Sequence, residues 1–270
     1  EVLEKYGTKA TSPLPHQTVL ARYASGSGCR SLFDGFALWS HRDSPPSQPC
    51  AIPIAPACHW PDLHILTLVF PSITGESQKS ISSARGMELS LETSPFIRRM
   101  GPDGSQHPLK AQRVKKLRQA ILDKDFSTLA EITMTESDEL HAICASSDIH
   151  YLNLFSRLMI RVIRDYNEVK GALCAAYTFD AGPNMFLLCL RDSLEELVAL
   201  IRHLFPGTSE ASWRLREPLL SSQRNELPIS LKTIMADVSA FFETSPEIPK
   251  NRAGKAYLET VYHSTLGDAT

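Results

Sequence analysis

Hydrophobic positions along the chain fall into two rhythms. Short, nearly continuous apolar runs read as buried strands. They are His64 to Phe70 (Ile65, Leu66, Leu68, Val69, Phe70), Leu173 to Phe179, Met185 to Leu190, and Tyr257 to His263. Longer stretches with apolar residues three and four apart read as helices. Lys110 to Lys124 places Val114, Leu117, Ile121 and Leu122 on one face. Phe126 to Ala145, Leu152 to Asn167, Leu194 to Phe205 and Ile229 to Phe242 follow the same spacing, and Gly86 to Ser94 is compatible with it. Residues 1–24 read as a helix, a break at Thr11 to Pro15, and a second helix with Ser12 as cap and Pro13 just inside. From Arg42 to Pro61, prolines 45, 46, 49, 53, 56 and 61 leave little periodicity, so an exposed loop is expected. Ile73 to Ser83 is polar and flexible in character. No internal repeat is present. Strands and helices in irregular order predict an α+β fold of packed layers.

Composition narrows the class. The chain has 270 residues, 28 Lys plus Arg against 30 Asp plus Glu, and is 43% hydrophobic. That balance fits a globular protein and opposes a disordered one. It shows no basic excess for nucleic acid. No apolar run approaches the roughly 20 residues of a membrane span. The only basic cluster, Arg113, Lys115, Lys116 and Arg118, reads as a solvated helix face or an anion site. The six cysteines at 29, 50, 58, 144, 174 and 189 form no CxxC pair and no clustered ligand set, so no metal site is expected. Cys144, Cys174 and Cys189 read as buried thiols, and a reducing, cytoplasmic setting is the default.

Three stretches are candidates for chemistry. Ser25-Gly26-Ser27-Gly28-Cys29-Arg30 is a small-residue turn whose amides can approach an anion, with Arg30 offering a bidentate fork; it also reads as a plain Gly/Ser loop. Thr178 to Asn184 ends an apolar strand in Asp180, which either faces a crevice or caps its own turn. Ser82-Ser83-Ala84-Arg85-Gly86-Met87 is either an anion-binding helix start or an ordinary N-cap. Neither a GxSxG elbow nor a GxxxxGK[ST] phosphate loop occurs.

Together these stretches resemble the diphosphomevalonate decarboxylases of the GHMP kinase superfamily. The resemblance is carried by SGSGCRSLFDGFALW (25–39), SSARGMELSLETS (82–94) and AYTFDAGPN (176–184). DFSTLAEITMTESDELHAIC (125–144) and YLNLFSRLMIRVIRDYN (151–167) extend it, and it fades beyond about residue 205. It implies a GHMP kinase-type fold, with residues 1–60 ending the N-terminal domain and 61–270 forming the C-terminal α/β layered domain. It also implies ATP- and Mg2+-dependent decarboxylation of (R)-5-diphosphomevalonate to isopentenyl diphosphate, in isoprenoid and sterol biosynthesis. The family's partners are diphosphomevalonate and ATP, in a cytoplasmic homodimer.

On this resemblance Asp180 and Arg30 are the catalytic residues, Arg30 holding the substrate carboxylate. Ser25, Gly26, Ser27, Gly28, Cys29 and Arg30 form the substrate turn, and Ser83 lies near the diphosphate. The family's ATP-phosphate loop falls upstream of the position matching Glu1. The chain is therefore expected to lack roughly a hundred N-terminal residues, judged from typical domain sizes. Its own cofactor-binding residues stay unassigned. A silent paralogue acting as a binding or regulatory protein is the alternative reading. The chain departs from the family pattern at Asp34, Ala84, Met185, the short link Ala145 to His150, and Val261 to Thr265.

Overall fold

The computed structural model describes residues 15–24, 28–39, 51–73, 81–95, 108–216, 228–245, 248–251 and 254–265. The expectations for Ser12 and Pro13, for Ser25, Gly26 and Ser27, and for residues 42–50 lie outside the described residues, as does the Cys29 side chain.

Helix α1 (Pro15–Ala24) leads to a 3-10 turn, Gly28–Leu32, and then to β1 (Phe36–Trp39). β1 pairs antiparallel with β2 (Ala51–Ala55) in a ladder of its own. The sharp entry to β1 needs a glycine. Gly35 has φ +85°, and a Cβ there would lie 2.4 Å from the Ala57 nitrogen. Asp34 beside it is exposed, so its charge stays in water.

β2 corrects the expectation of an exposed loop from Arg42 to Pro61. Ala51 and Ala55 are buried, and the 3-10 turn Ala57–His59 buries His59 and leads to buried Trp60. Proline is tolerated in β2 because only β1 pairs with it, and Pro53 sits opposite Ala37 beside a register shift. The His59 ring bonds the Ile121 carbonyl at 2.9 Å, tying this turn to the next layer.

The main sheet has five strands, in the order β4-β5-β3-β7-β6. They are β3 (Leu63–Val69), β4 (Ala175–Phe179), β5 (Met185–Leu190), β6 (Trp213–Arg214) and β7 (Thr260–Thr265). All neighbours are antiparallel except β6 and β7. The helices are α2 (Ser83–Thr93), α3 (Pro108–Asp123), α4 (Phe126–Ala145), α5 (Leu154–Lys170), α6 (Arg191–Leu204) and α7 (Ile229–Thr244). Their periodic residues carry the core. Phe155, Met159, Val162 and Ile163 of α5 meet Leu197, Leu200 and Ile201 of α6 and Leu231, Ile234 and Val238 of α7. Against them lie Leu66, Leu68, Met185, Leu187, Cys189 and Val261 from one face of the sheet. Full burial of each such large apolar side chain contributes about 1.5–3 kcal/mol.

A second cluster occupies the opposite face. Leu63 and Ala176 meet Ala120, Ile121, Phe126, Leu129, Ala130, Ala55 and Trp60. This shifts the buried stripe of α3 from the expected one, because Val114 is 43% exposed whereas Ala120 and Ile121 are buried. α3 is held on α4 by Arg113, which donates to Glu139 at 2.6 and 2.7 Å and to Glu136 at 2.7 Å. Arg113 of the basic cluster is thus spent on a helix–helix clamp rather than on an anion. Cys144 and Cys189 are buried as expected, and Cys174 is half-buried. Among the described residues no helix is long and apolar enough to cross a membrane.

Candidate active site

Asp180 is the first residue beyond β4, an edge strand. The turn after it is pinned on every side. Phe179 N–H donates to Ser137 Oγ on α4 at 3.2 Å. Ser156 Oγ on α5 donates to the Pro183 carbonyl at 2.7 Å, and Asn184 Oδ1 accepts from Phe70 N–H at 3.1 Å. Within the turn, Asp180 Oδ1 accepts from Ala181 N–H at 2.8 Å, and its carbonyl from Gly182 N–H at 2.7 Å. One carboxylate oxygen therefore fixes the turn. The other has no partner among the described residues and the side chain is exposed, so the turn-capping reading of Asp180 holds and one oxygen stays open to solvent. A Cβ at Gly182 would meet nothing within 4 Å, which leaves open space beside the carboxylate.

The start of α2 lies next to this turn. Ser82 is the N-cap, its Oγ accepting from Arg85 N–H at 3.3 Å. Ser83 is the first helical residue and exposed. The ordinary cap is thus made by Ser82, and Ser83 keeps its hydroxyl and amide for other use. Tyr151 joins the two segments. Its hydroxyl donates to the Ser82 carbonyl at 3.3 Å, and it clusters with Cys144 and Ile149, flanked by Ile81, Leu89 and Ala181. Burial raises the Tyr151 pKa, with the charges of Cys144 and Asp180 adding to it, so the phenol stays protonated.

His141 stands behind Asp180 on α4. Its ring is edge-on to Phe179 at 6.0 Å and to Tyr151 at 6.4 Å. Nε2 is buried without a hydrogen-bond partner. Burial lowers the His141 pKa, while the Phe179 backbone hydrogen bond and the charges of Asp138 and Asp180 act the other way. Further along β4, Tyr177 donates to Asp138 at 3.0 Å and accepts from Arg164 Nε at 3.0 Å. Burial, then Asp138, pushes that phenol up to about 12.

Arg30 lies elsewhere in the fold. It is exposed on the 3-10 turn before β1, and among the described residues no hydrogen bond or ion pair joins it to Asp180 or Ser83. Gly28 is half-buried on the same turn. The structure therefore links the turn of Asp180 and the start of α2 through the Tyr151 cluster, and among the described residues Arg30 has no such link to either. Two grooves, of about 430 Å³ between α3 and α4 and about 460 Å³ between α4 and α5, include none of these residues. Ser137, His141 and Tyr151 are the site-forming residues that the sequence did not single out. Their only signal is membership in the matching SDELHAIC and YLN stretches. Among the described residues no three His, Cys, Asp or Glu side chains group as a metal site.

Comparison with known proteins gives this arrangement its class. The family model described as "Mevalonate 5-diphosphate decarboxylase C-terminal domain" matches residues 69–268. The diphosphomevalonate decarboxylase of Rattus norvegicus is 35% identical over 255 residues, which is 92% of this chain and 60% of that protein. The solved mevalonate diphosphate decarboxylase from Trypanosoma brucei is 34% identical with a TM-score of 0.76, over 93% of this chain and 61% of that one. A further solved structure, "MDDEF in complex with MVAPP, AMPPCP and Magnesium", is 27% identical with a TM-score of 0.60, over 70% of this chain and 55% of that one. The chain spans about half of the length of the curated relatives that it matches, from 46% to 60% in three of them. The fold is of the GHMP kinase type. The chain belongs to the mevalonate 5-diphosphate decarboxylase family.

Proposed function

We propose that this chain supplies the acid–base and substrate-binding part of an ATP-dependent diphosphomevalonate decarboxylase. The reaction converts (R)-5-diphosphomevalonate and ATP to isopentenyl diphosphate, ADP, phosphate and CO2. One observation carries the reading. The turn of Asp180 and the start of α2, both on family motifs, lie against one another through Tyr151 and Ala181.

The substrate's tertiary hydroxyl is a poor leaving group, so phosphorylation by ATP activates it. Asp180, anchored by Oδ1 at Ala181 N–H, offers its other oxygen to orient or deprotonate that hydroxyl. Loss of phosphate then leaves positive character at C3, which the Asp180 charge stabilises. The bond from C2 to the carboxylate breaks, its electron pair forms the double bond with C3, and CO2 departs. Arg30 holds the carboxylate until then, its planar fork matching the two oxygens. Ser83 and the amides opening α2 suit the diphosphate. Ser25, Gly26, Ser27, Gly28 and Cys29 form the substrate turn, with Ser27 hydrogen-bonding the substrate.

The described residues gather no ligand set of His, Cys, Asp or Glu for Mg2+. We place the domain boundary near residue 60, between the β1–β2 ladder and the start of the main sheet at Leu63. Free thiols at Cys58, Cys144, Cys174 and Cys189 suit a reducing, cytoplasmic setting, and the homodimer rests on the family resemblance alone.

The test measures CO2 and phosphate release from diphosphomevalonate plus ATP, using the protein as its gene encodes it. Asp180→Asn and Arg30→Lys should each lower the rate by orders of magnitude. Near-normal turnover in either variant removes the role given to that residue. A wild-type protein that binds diphosphomevalonate without turning it over would instead be the silent binding protein.

A further inference from the structure

Gly86 has no freedom to carry a side chain. A Cβ built there would lie 2.1 Å from the Tyr151 hydroxyl oxygen and 3.2 Å from Cζ of the same ring. The space that glycine leaves in α2 is filled by the phenol. Its hydroxyl thereby reaches the Ser82 carbonyl, which also accepts the Gly86 N–H at 2.8 Å. Tyr151 is only 7% exposed. It forms one cluster with Cys144 and Ile149, against which Ile81 and Leu89 on the α2 side and Ala181 in the turn of Asp180 pack; the His141 ring lies edge-on to it and the Asp180 charge acts on its hydroxyl. One rigid side chain thus spans from the helix start that presents Ser83 to the turn that presents Asp180.

Neither of those segments is otherwise tied directly to the other among the described residues. The Asp180 turn is held by Ser137, Ser156 and Asn184. The far end of α2 is held by Ser94 Oγ against Ser146 Oγ at 2.8 Å. The near end has Tyr151. A long phenol with two torsions, locked in a groove of fixed depth, is a suitable spacer, because it has few rotamers to lose.

We propose that Tyr151 is a positioning residue of the reaction, a strut that sets the distance between Ser83 and Asp180, and that Gly86 is its socket. The proposal rests on the functional reading above, in which Ser83 faces the diphosphate and Asp180 the C3 hydroxyl of one substrate molecule. The length of the strut then sets which chain length between diphosphate and tertiary carbon the site accepts.

The test is a double-mutant cycle in the protein as its gene encodes it. Alanine is the better helix former, so Gly86→Ala would stabilise α2 if nothing stood in the way. The phenol oxygen stands in the way. Gly86→Ala alone is therefore expected to raise KM for diphosphomevalonate about tenfold and to lower kcat. Tyr151→Phe alone should raise KM for diphosphomevalonate several-fold, with KM for ATP unchanged. With the hydroxyl gone, the nearest ring atom is Cζ at 3.2 Å, so the ring need yield only slightly and the double variant should lie within about threefold of Tyr151→Phe. A fall in folded fraction alone would scale kcat and leave both KM values in place. Additive effects in the cycle, or an unchanged KM for diphosphomevalonate in Tyr151→Phe, would overturn the strut.

Amide exchange reads the same point without turnover. Tyr151→Phe should speed exchange at Arg85–Gly86 and at Ala181–Gly182 together. Acceleration at one segment only, or at neither, rejects the proposal even if the wild type proves inactive. An inactive wild type with both segments coupled rejects the functional reading and keeps the strut.

Discussion

His141 shows how a single side chain can register the state of its surroundings. The ring is desolvated between Phe179 and Tyr151, and burial outweighs the opposing pull of Asp138 and Asp180. Its folded pKa therefore lies below the usual value of about 6.5. The unfolded chain binds the extra proton first, so this group contributes stability that is present above about pH 6.5 and lost as pH falls toward the folded pKa. Tyr151 faces the same ring, and Cys144 clusters with Tyr151; both are without charge in this range, since burial raises both their pKa values. Melting temperature should accordingly drop between about pH 7.5 and 5, and His141→Phe should flatten part of that drop. An equal slope in the variant would assign the drop to other groups. Little of this is legible in the sequence. Asp180 stands out because it ends an apolar strand, and Ser83 because hydroxyls precede a helix. His141, Ser137 and Tyr151 look like ordinary positions within helices or at their edges, and only contacts with residues distant in sequence give them a role.

Elements are legible where the local code is undivided. α4 begins at Phe126 because Asp125 caps it, its side chain accepting from Thr128 N–H at 3.0 Å, and the sequence reading has the same ends. β5 likewise runs from Met185 to Leu190 as read. β2 is illegible because Pro53 interrupts its pattern, and β6 because two residues carry no period. α5 shows how elements are joined. It opens with a capping box at Asn153 and Ser156 and closes on Gly171 in the left-handed region at φ 64°. Inside its last turn, Asn167 accepts from Cys174 and Ala175 N–H at 2.9 and 3.0 Å and donates to the Ala175 carbonyl at 2.8 Å. This one amide replaces the partners that the start of β4 lacks as an edge strand. Asn167→Ala should therefore cost about 3 kcal/mol in denaturant unfolding, since buried backbone groups lose their partners. A loss below about 1 kcal/mol would mean that water takes their place.

At the scale of the molecule, β3 is the axis. It pairs with β5 on one side and β7 on the other, and its Leu66 and Leu68 lie at the centre of the main core. β7 is also an interior strand, for it joins β6 to the rest of the sheet. Val261, fully buried, sits between Leu68 and Trp213. Val261→Pro removes a backbone donor and distorts the ladder, so near-ultraviolet circular dichroism should lose its cooperative melt. A retained sharp transition would show that β6 and β7 are peripheral. The pairing also has a temporal side. His64 and His263 bond side by side at 2.9 Å across 199 residues of chain. During synthesis β3 emerges long before its second neighbour, roughly 10 to 40 seconds earlier at usual elongation rates. Through that interval one flank of an apolar strand is an open template for any passing strand. The nascent chain should thus depend on chaperones that shield β3, and the sheet should close only as residues 260–265 arrive.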